Sequence, residues 1–346
     1  MLKETQKVAL YMEGHLFSDY GKMGFGVLRY LKNPIVGVID STHSGTTVNA
    51  LLEIPSTTPV VKDLQAAAAL GAEVLILGIA PSGGKIPTDW YPIIAQALKA
   101  GMSIVNGLHD LLHDSFKQHL IAPEKQWIWD VRVPQFEPKI ATAQCMGLPN
   151  KRILFVGTDM AAGKMTAALE LYAWTKENNI NSGFVATGQI GITITGAGIP
   201  LDAFKVDHAC GAVEQAVLEQ QDKEWIFVEG QGSLLHPGST ATLPLLRGSC
   251  PTHLILCHRA EMDHLRYPTE IRIPDLTAFI ALNEALASVC GTYGQPKVVG
   301  IALNTSKLSA TAAADVCTAV TKTTGIPATD VVRYGPEVLA KALQEA

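Results

Sequence analysis

Residues 157–166 read Gly-Thr-Asp-Met-Ala-Ala-Gly-Lys-Met-Thr, after the apolar run Ile153–Val156 and before a helix-like stretch from Ala167 to Lys176. A glycine-rich turn between a buried strand and a helix, with one lysine at its exit, is suited to holding phosphate. Amides at the start of the helix lack intrahelical partners, the helix dipole favours anions there, and Lys164 adds a full positive charge. This is a P-loop, and it demands a parallel α/β sheet around it.

The form of the loop narrows its use. The common pattern is G-x(4)-G-K-[ST], whereas here Gly157 and Gly163 bracket five residues and Met165 follows Lys164, with Thr166 one place later. The usual magnesium hydroxyl is therefore displaced or absent. Such a loop can bind a pyrophosphate without transferring a phosphoryl group, and it leaves magnesium open.

The rest of the chain agrees with an α/β fold. Apolar runs at Lys7–Tyr11, Ile35–Ile39, Val74–Ile79 and Ser103–Asn106 alternate with helical stretches at Gly26–Leu31, Leu64–Leu70 and Ile93–Ala100. Short apolar runs between helices of about ten residues indicate a parallel sheet covered on both faces. Pro134, Pro138, Pro149 and Asn150 break this pattern, and a second alternation then begins at Ile153–Val156, Gly183–Thr187, Trp225–Glu229, Thr252–Cys257 and Lys297–Leu303. We therefore expect two domains, a Rossmann-like parallel sheet over residues 1–137 and a P-loop NTPase-like parallel sheet over residues 138–346. Pro336–Gln344 reads as a closing helix.

Composition excludes several classes. With 346 residues, 47% hydrophobic and 17% charged, the chain has the makeup of a soluble globular protein, and its net charge of −5 argues against a general nucleic-acid binder. The start lacks an apolar signal core, and no run approaches the roughly 20 apolar residues of a membrane span, so a cytoplasmic location without membrane partners is expected. The six cysteines lack C-x-x-C spacing, which favours buried free thiols over disulfides or zinc. No metal site is assigned. So apolar a chain is expected to form a homo-oligomer.

Ligands of parallel sheets sit at the carboxyl ends of strands. In the second half, Trp225-Ile226-Phe227-Val228 runs into Glu229-Gly230-Gln231-Gly232, which places an acid where a magnesium ligand belongs. The alternative is that Glu229 orders the glycine turn. Asn304 ends the last strand, where it could read a purine edge or simply make a turn. The cofactor-binding candidates are thus Gly157, Thr158, Asp159, Gly163, Lys164, Met165, Thr166, Glu229 and Asn304. In the first half the exits are Asp40–Gly45, Gly78–Gly84 and Asn106–Asp110.

Gly157-Thr158-Asp159 with Gly163-Lys164, Glu229–Gly232 and the Asn304 strand end resemble the dethiobiotin synthetase branch of P-loop proteins. With Gly-Ile-Ala-Pro-Ser-Gly-Gly at 78–84, Gly-Leu-His at 107–109 and Asp130-Val131-Arg132, nearly the whole chain resembles the bacterial D-glutamate N-acetyltransferase family. That resemblance implies a Rossmann-like domain before a P-loop domain, and transfer of acetyl from acetyl-CoA to the amine of a D-amino acid. Coenzyme A offers phosphates and no bond that must be hydrolysed, which suits this P-loop. An ammonium must lose a proton before it attacks a thioester, so a base is needed beside it.

His109, beside Asp110 at a strand exit, and His236, in the loop after Glu229, are the candidate bases; each could instead pair with backbone. Arg132 could receive a substrate carboxylate, as could Arg29, or either could make a salt bridge. Ser82, Gly83 and Gly84 could form an anion nest or merely a turn. The alternative function is an ATP-dependent ligase or kinase of the dethiobiotin-synthetase type, which predicts magnesium dependence and ADP formation.

Overall fold

The apolar runs become strands because parallel sheets bury both faces. In the computed structural model, which describes residues 2–346, they sort into two units, one reaching to Val133 and also taking in Gln189–Pro200, the other holding Pro134–Gly188 and Leu201–Ala346. No helix among the described residues is long and apolar enough to cross a membrane. All six cysteines are free, with Cys145, Cys250, Cys257 and Cys317 buried, Cys210 half-buried and Cys290 exposed.

The first unit carries β1 (Val8–Tyr11), β2 (Ile35–Ile39), β3 (Val60–Val61), β4 (Val74–Leu77), β5 (Ser103–Asn106) and β6 (Ile128–Asp130). They pair in the order β3-β2-β1-β4-β5-β6, every pair parallel. The order reverses between β1 and β4, so their exits form the crevice where ligands of such sheets bind. Its helices are α1 (Lys22–Tyr30), α2 (Val48–Leu51), α3 (Leu64–Ala69), α4 (Tyr91–Lys99) and α5 (His113–Phe116). Helix α1 starts four residues before the expected Gly26 because Gly24 is a close-approach residue, not a breaker. The Gly24 amide donates to the Gly78 carbonyl at 2.8 Å, and a Cβ on Gly24 would overlap the Met12 side chain. The core beneath is a cluster of Leu75, Leu77, Trp90, Ile94, Leu98 and Ile104 with their neighbours.

The second unit carries β7 (Lys151–Gly157), β8 (Ser182–Val185), β9 (Trp225–Val228), β10 (His253–Arg259), β11 (Lys297–Asn304) and β12 (Ala328–Thr329). The order is β12-β11-β10-β7-β9-β8, again all parallel, which sets the P-loop strand β7 between β10 and β9. Helices α6 (Lys164–Glu177), α8 (Val206–Leu218), α9 (Thr242–Ser249), α10 (Leu276–Ser288), α11 (Ala310–Thr324), α12 (Val331–Tyr334) and α13 (Glu337–Glu345) belong here, whereas α7 (Gln189–Thr195) packs on α1 in the first unit. The proline-rich segment before β7 is fixed by the buried Glu214 of α8, whose carboxylate accepts from the amides of Thr142 at 2.9 Å and Gln144 at 2.7 Å. Arg152, also buried, donates to the carbonyls of Leu148, Asn150, Ser249 and Cys250 and so ties that segment to the end of α9.

Candidate functional site

The P-loop runs from Gly157, paired with Cys257 of β10, to Gly163, whose φ of 101° is open to glycine and strained for other residues. Lys164 opens α6 and is buried; its Nζ turns back to donate to the carbonyls of Asp159 at 2.7 Å and Met160 at 3.0 Å. Burial pulls its pKa down to about 8, opposed by the charges of Cys257, Asp159 and Glu229. It therefore stays mostly protonated at neutral pH, and an incoming anion would strengthen that. Asp159 shapes the loop with both oxygens: Oδ1 accepts from the Met160 amide at 2.6 Å, Oδ2 from the Arg266 amide at 3.0 Å. Thr158, also buried, shares a 2.9 Å hydrogen bond with Nδ1 of His258.

Glu229 sits at the exit of β9, one strand from the loop. A Cβ on Gly230 would overlap the Phe155 carbonyl oxygen, so only glycine lets β9 leave flush against β7. The buried Glu229 carboxylate reaches the exit of β8, where Oε2 accepts from the amides of Thr187 at 2.8 Å and Gly188 at 3.2 Å. Burial pushes its pKa up to about 7, against the pull of those two amides and of Lys164. One oxygen is thus committed to ordering the glycine turn. Among the described residues no group of three or more His, Cys, Asp or Glu could hold a metal ion. Met165 and Thr166 are half-buried on α6. The Asn304 side-chain oxygen accepts from the Ser306 amide at 3.1 Å, a turn-making contact, and its Cβ lies 4.0 Å from where a Cβ of Gly163 would be. His236 accepts the Gly238 amide on Nδ1 at 3.1 Å.

In the first unit the exits of β4 and β5 are stitched together. The His109 amide donates to the Gly84 carbonyl at 2.8 Å, the Ile86 amide to Oδ2 of Asp110 at 2.7 Å, and the His109 ring lies so close to Gly84 that a Cβ there would overlap it. Gly83 and Gly84 take successive positive φ values of 77° and 65°, and Gly83 faces open space. The Ser82 side chain lies outside the described residues. The fold thus brings His109 and the Gly83-Gly84 turn, read from the sequence at separate strand exits, beside one another. Behind them Asn106 and Asp130, both buried, share a hydrogen bond of 2.8 Å, and the Asp130 carboxylate also takes the amides of Leu112 and His113. Arg132 lies two residues beyond the end of β6, its Nε donating to the Gly107 carbonyl at 2.8 Å. Arg29 donates to the Glu53 carbonyl at 3.3 Å, on the other side of the sheet order.

Two parallel sheets, one a Rossmann arrangement and one built around a P-loop with a buried lysine, define a two-unit α/β P-loop protein. The P-loop domain and the Rossmann-like domain of the family described as a domain of unknown function, DUF1611, match residues 139–340 and 41–134, and the chain belongs to that family. A crystal structure of a DUF1611 family protein from Anabaena variabilis superposes with a TM-score of 0.95 at 44% identity, covering 99% of this chain and 100% of that one. Two curated relatives carry the name D-glutamate N-acetyltransferase. The one from Pseudoalteromonas sp. is 38% identical over 280 residues, 80% of this chain and 83% of its own. The one from Tritonibacter scottomollicae is 38% identical over 282 residues, 81% of this chain and 84% of its own.

Proposed function

We propose that this protein transfers the acetyl group of acetyl-CoA to the amino group of a D-amino acid, with D-glutamate preferred. The observation that carries the reading is a P-loop that keeps its glycines and its buried cationic lysine but has Met165 where a magnesium-binding hydroxyl belongs, in a chain similar along most of its length to two D-glutamate N-acetyltransferases. The loop anchors the phosphates of coenzyme A, and nothing in acetyl transfer requires them to be cleaved. The amino acid binds at the carboxyl edge of the first unit's sheet, with its carboxylates received by the Gly83-Gly84 turn, His109 and Arg132. Acetyl transfer then needs a deprotonated amine aligned with the thioester, and donors for the oxyanion formed at its carbonyl.

Titration calorimetry of coenzyme A in the presence of a chelator tests the anchor. Lys164→Ala is expected to weaken binding by about tenfold or more, as a lost charge-assisted contact does. Its turnover at saturating acetyl-CoA should stay within about threefold of wild type. Collapse of turnover at saturation would contradict an anchoring role. The phosphoryl-transfer reading rests on Glu229 alone and predicts amine-dependent ADP formation from ATP and magnesium.

A further inference from the structure

At the exit of β2 the chain makes a turn, Asp40-Ser41-Thr42-His43, that places a carboxylate under an imidazole. Asp40 is completely buried, its Oδ1 accepts the Thr42 amide at 3.0 Å, and its Oδ2 faces Nδ1 of His43 at 3.2 Å. A carboxylate oxygen accepts, so Nδ1 carries the hydrogen, and in the neutral ring it is Nε2 that presents the lone pair. The His43 side chain is 31% exposed, and its ring meets that of Phe17 in a T-shaped contact with centroids 5.1 Å apart. Capping the short helical turn 41–43 would need only Oδ1; the second oxygen is spent on the imidazole.

The surroundings give this end of the sheet a polarity. At the neighbouring exit of β1, the Glu13 carboxylate is held by the amide of Ser41 at 2.9 Å and by its hydroxyl, so an acid is tied to the same turn that carries the histidine. The exits of β4, β5 and β6 on the far side carry the Gly83-Gly84 turn, His109 and Arg132, all suited to anions. Adjacent strands lie about 4.8 Å apart, which puts the β2 and β4 exits about 10 Å from one another across β1. An edge with these two polarities suits a small amino dicarboxylate with its ammonium toward Glu13 and His43 and a carboxylate toward Gly83-Gly84.

We propose that His43 is the general base of the acetyl transfer and Asp40 its positioning residue, an inference that rests on the acetyltransferase reading. Nε2 takes one proton from the substrate ammonium. The freed nitrogen lone pair forms the C–N bond at the thioester carbonyl, the C–S bond breaks with its electron pair going to sulfur, and the second nitrogen proton passes to the departing thiolate. The imidazolium then releases its proton to solvent, so one proton is produced per acetyl transferred. His236 is less suited to this step, since Nδ1 already accepts the Gly238 amide and Nε2 must then carry the hydrogen.

The test compares wild type, His43→Ala, His43→Gln and Asp40→Asn for thiol release from acetyl-CoA with D-glutamate. Removal of a general base typically costs about 10²- to 10⁴-fold, so both His43 variants should lose at least about a hundredfold in kcat with the KM for acetyl-CoA within about twofold of wild type. Added imidazole should restore His43→Ala in a concentration-dependent manner. Asp40→Asn should lower kcat by about tenfold or more with the donor KM again unmoved, a split that a purely structural role would not produce. His43 variants that keep kcat within about threefold of wild type, or a loss that imidazole does not restore, would overturn the assignment while leaving the acetyltransferase reading intact. A wild-type protein inactive with acetyl-CoA and D-glutamate would sink both.

Discussion

Gly230 shows how narrowly single residues set this site. A side chain there would drive into the Phe155 backbone, which cannot yield without separating β7 from β9. Gly230→Ala should therefore lose more than about 3 kcal/mol in urea denaturation, whereas Gly147→Ala, with open space around it, should stay within about 0.5 kcal/mol. Equal effects would show that the close approach is not what selects glycine. His258 offers a second test. Burial pulls its pKa down from 6.5 to about 4, so the folded protein holds it neutral beside Thr158. A depressed folded pKa contributes stability that is complete above the unfolded value of about 6.5 and disappears as pH falls through about 4, worth up to about 3 kcal/mol. Glu229, raised to about 7, acts in the opposite sense across about pH 4.5 to 7. The comparison that isolates His258 is thus wild type against His258→Asn. The variant should lose less stability than wild type between pH 7 and 4.5, and parallel curves would refute the assignment.

Among elements, the internal strands were legible because burial on both faces leaves an unbroken apolar run, and β1, β2, β4, β5, β7, β9, β10 and β11 all lie where such runs do. The edge strand β8 also lies on such a run, at Gly183–Thr187, whereas the edge strands β3, β6 and β12 are too short to show, since two or three residues such as Val60-Val61 or Ala328-Thr329 carry no period. The site divides the same way. Lys164, Glu229, His109 and the Gly83-Gly84 turn stand out as residues at strand exits. The Asp40–His43 pair does not, because Asp followed by His three places later reads as an ordinary turn cap until both carboxylate oxygens are placed. At the β8 exit the amides of Thr187 and Gly188 are likewise taken up, by Glu229. Helix α8 carries a further test through Glu214. Glu214→Ala leaves the amides of Thr142 and Gln144 without their acceptor, at a cost of about 2–3 kcal/mol, and proteolysis should become faster within residues 138–147. An unchanged urea midpoint would mean that other contacts hold the segment.

Across the whole molecule, two parallel sheets present different chemistry at their carboxyl edges. The second unit offers a buried lysine and the amides of a helix start, which suit phosphates; the first offers an acid and a histidine at one end and anion-receptive turns at the other, which suit an amino dicarboxylate. This pairing is what the proposed transfer requires of the chain, with phosphate serving as a handle. The most direct measurement is thiol release from acetyl-CoA by the purified protein without ATP or magnesium, in parallel with D-glutamate, L-glutamate and no amine. The account predicts stoichiometric release with D-glutamate and little with the other two. Silence with all three, joined to amine-dependent ADP production once ATP and magnesium are supplied, would contradict it.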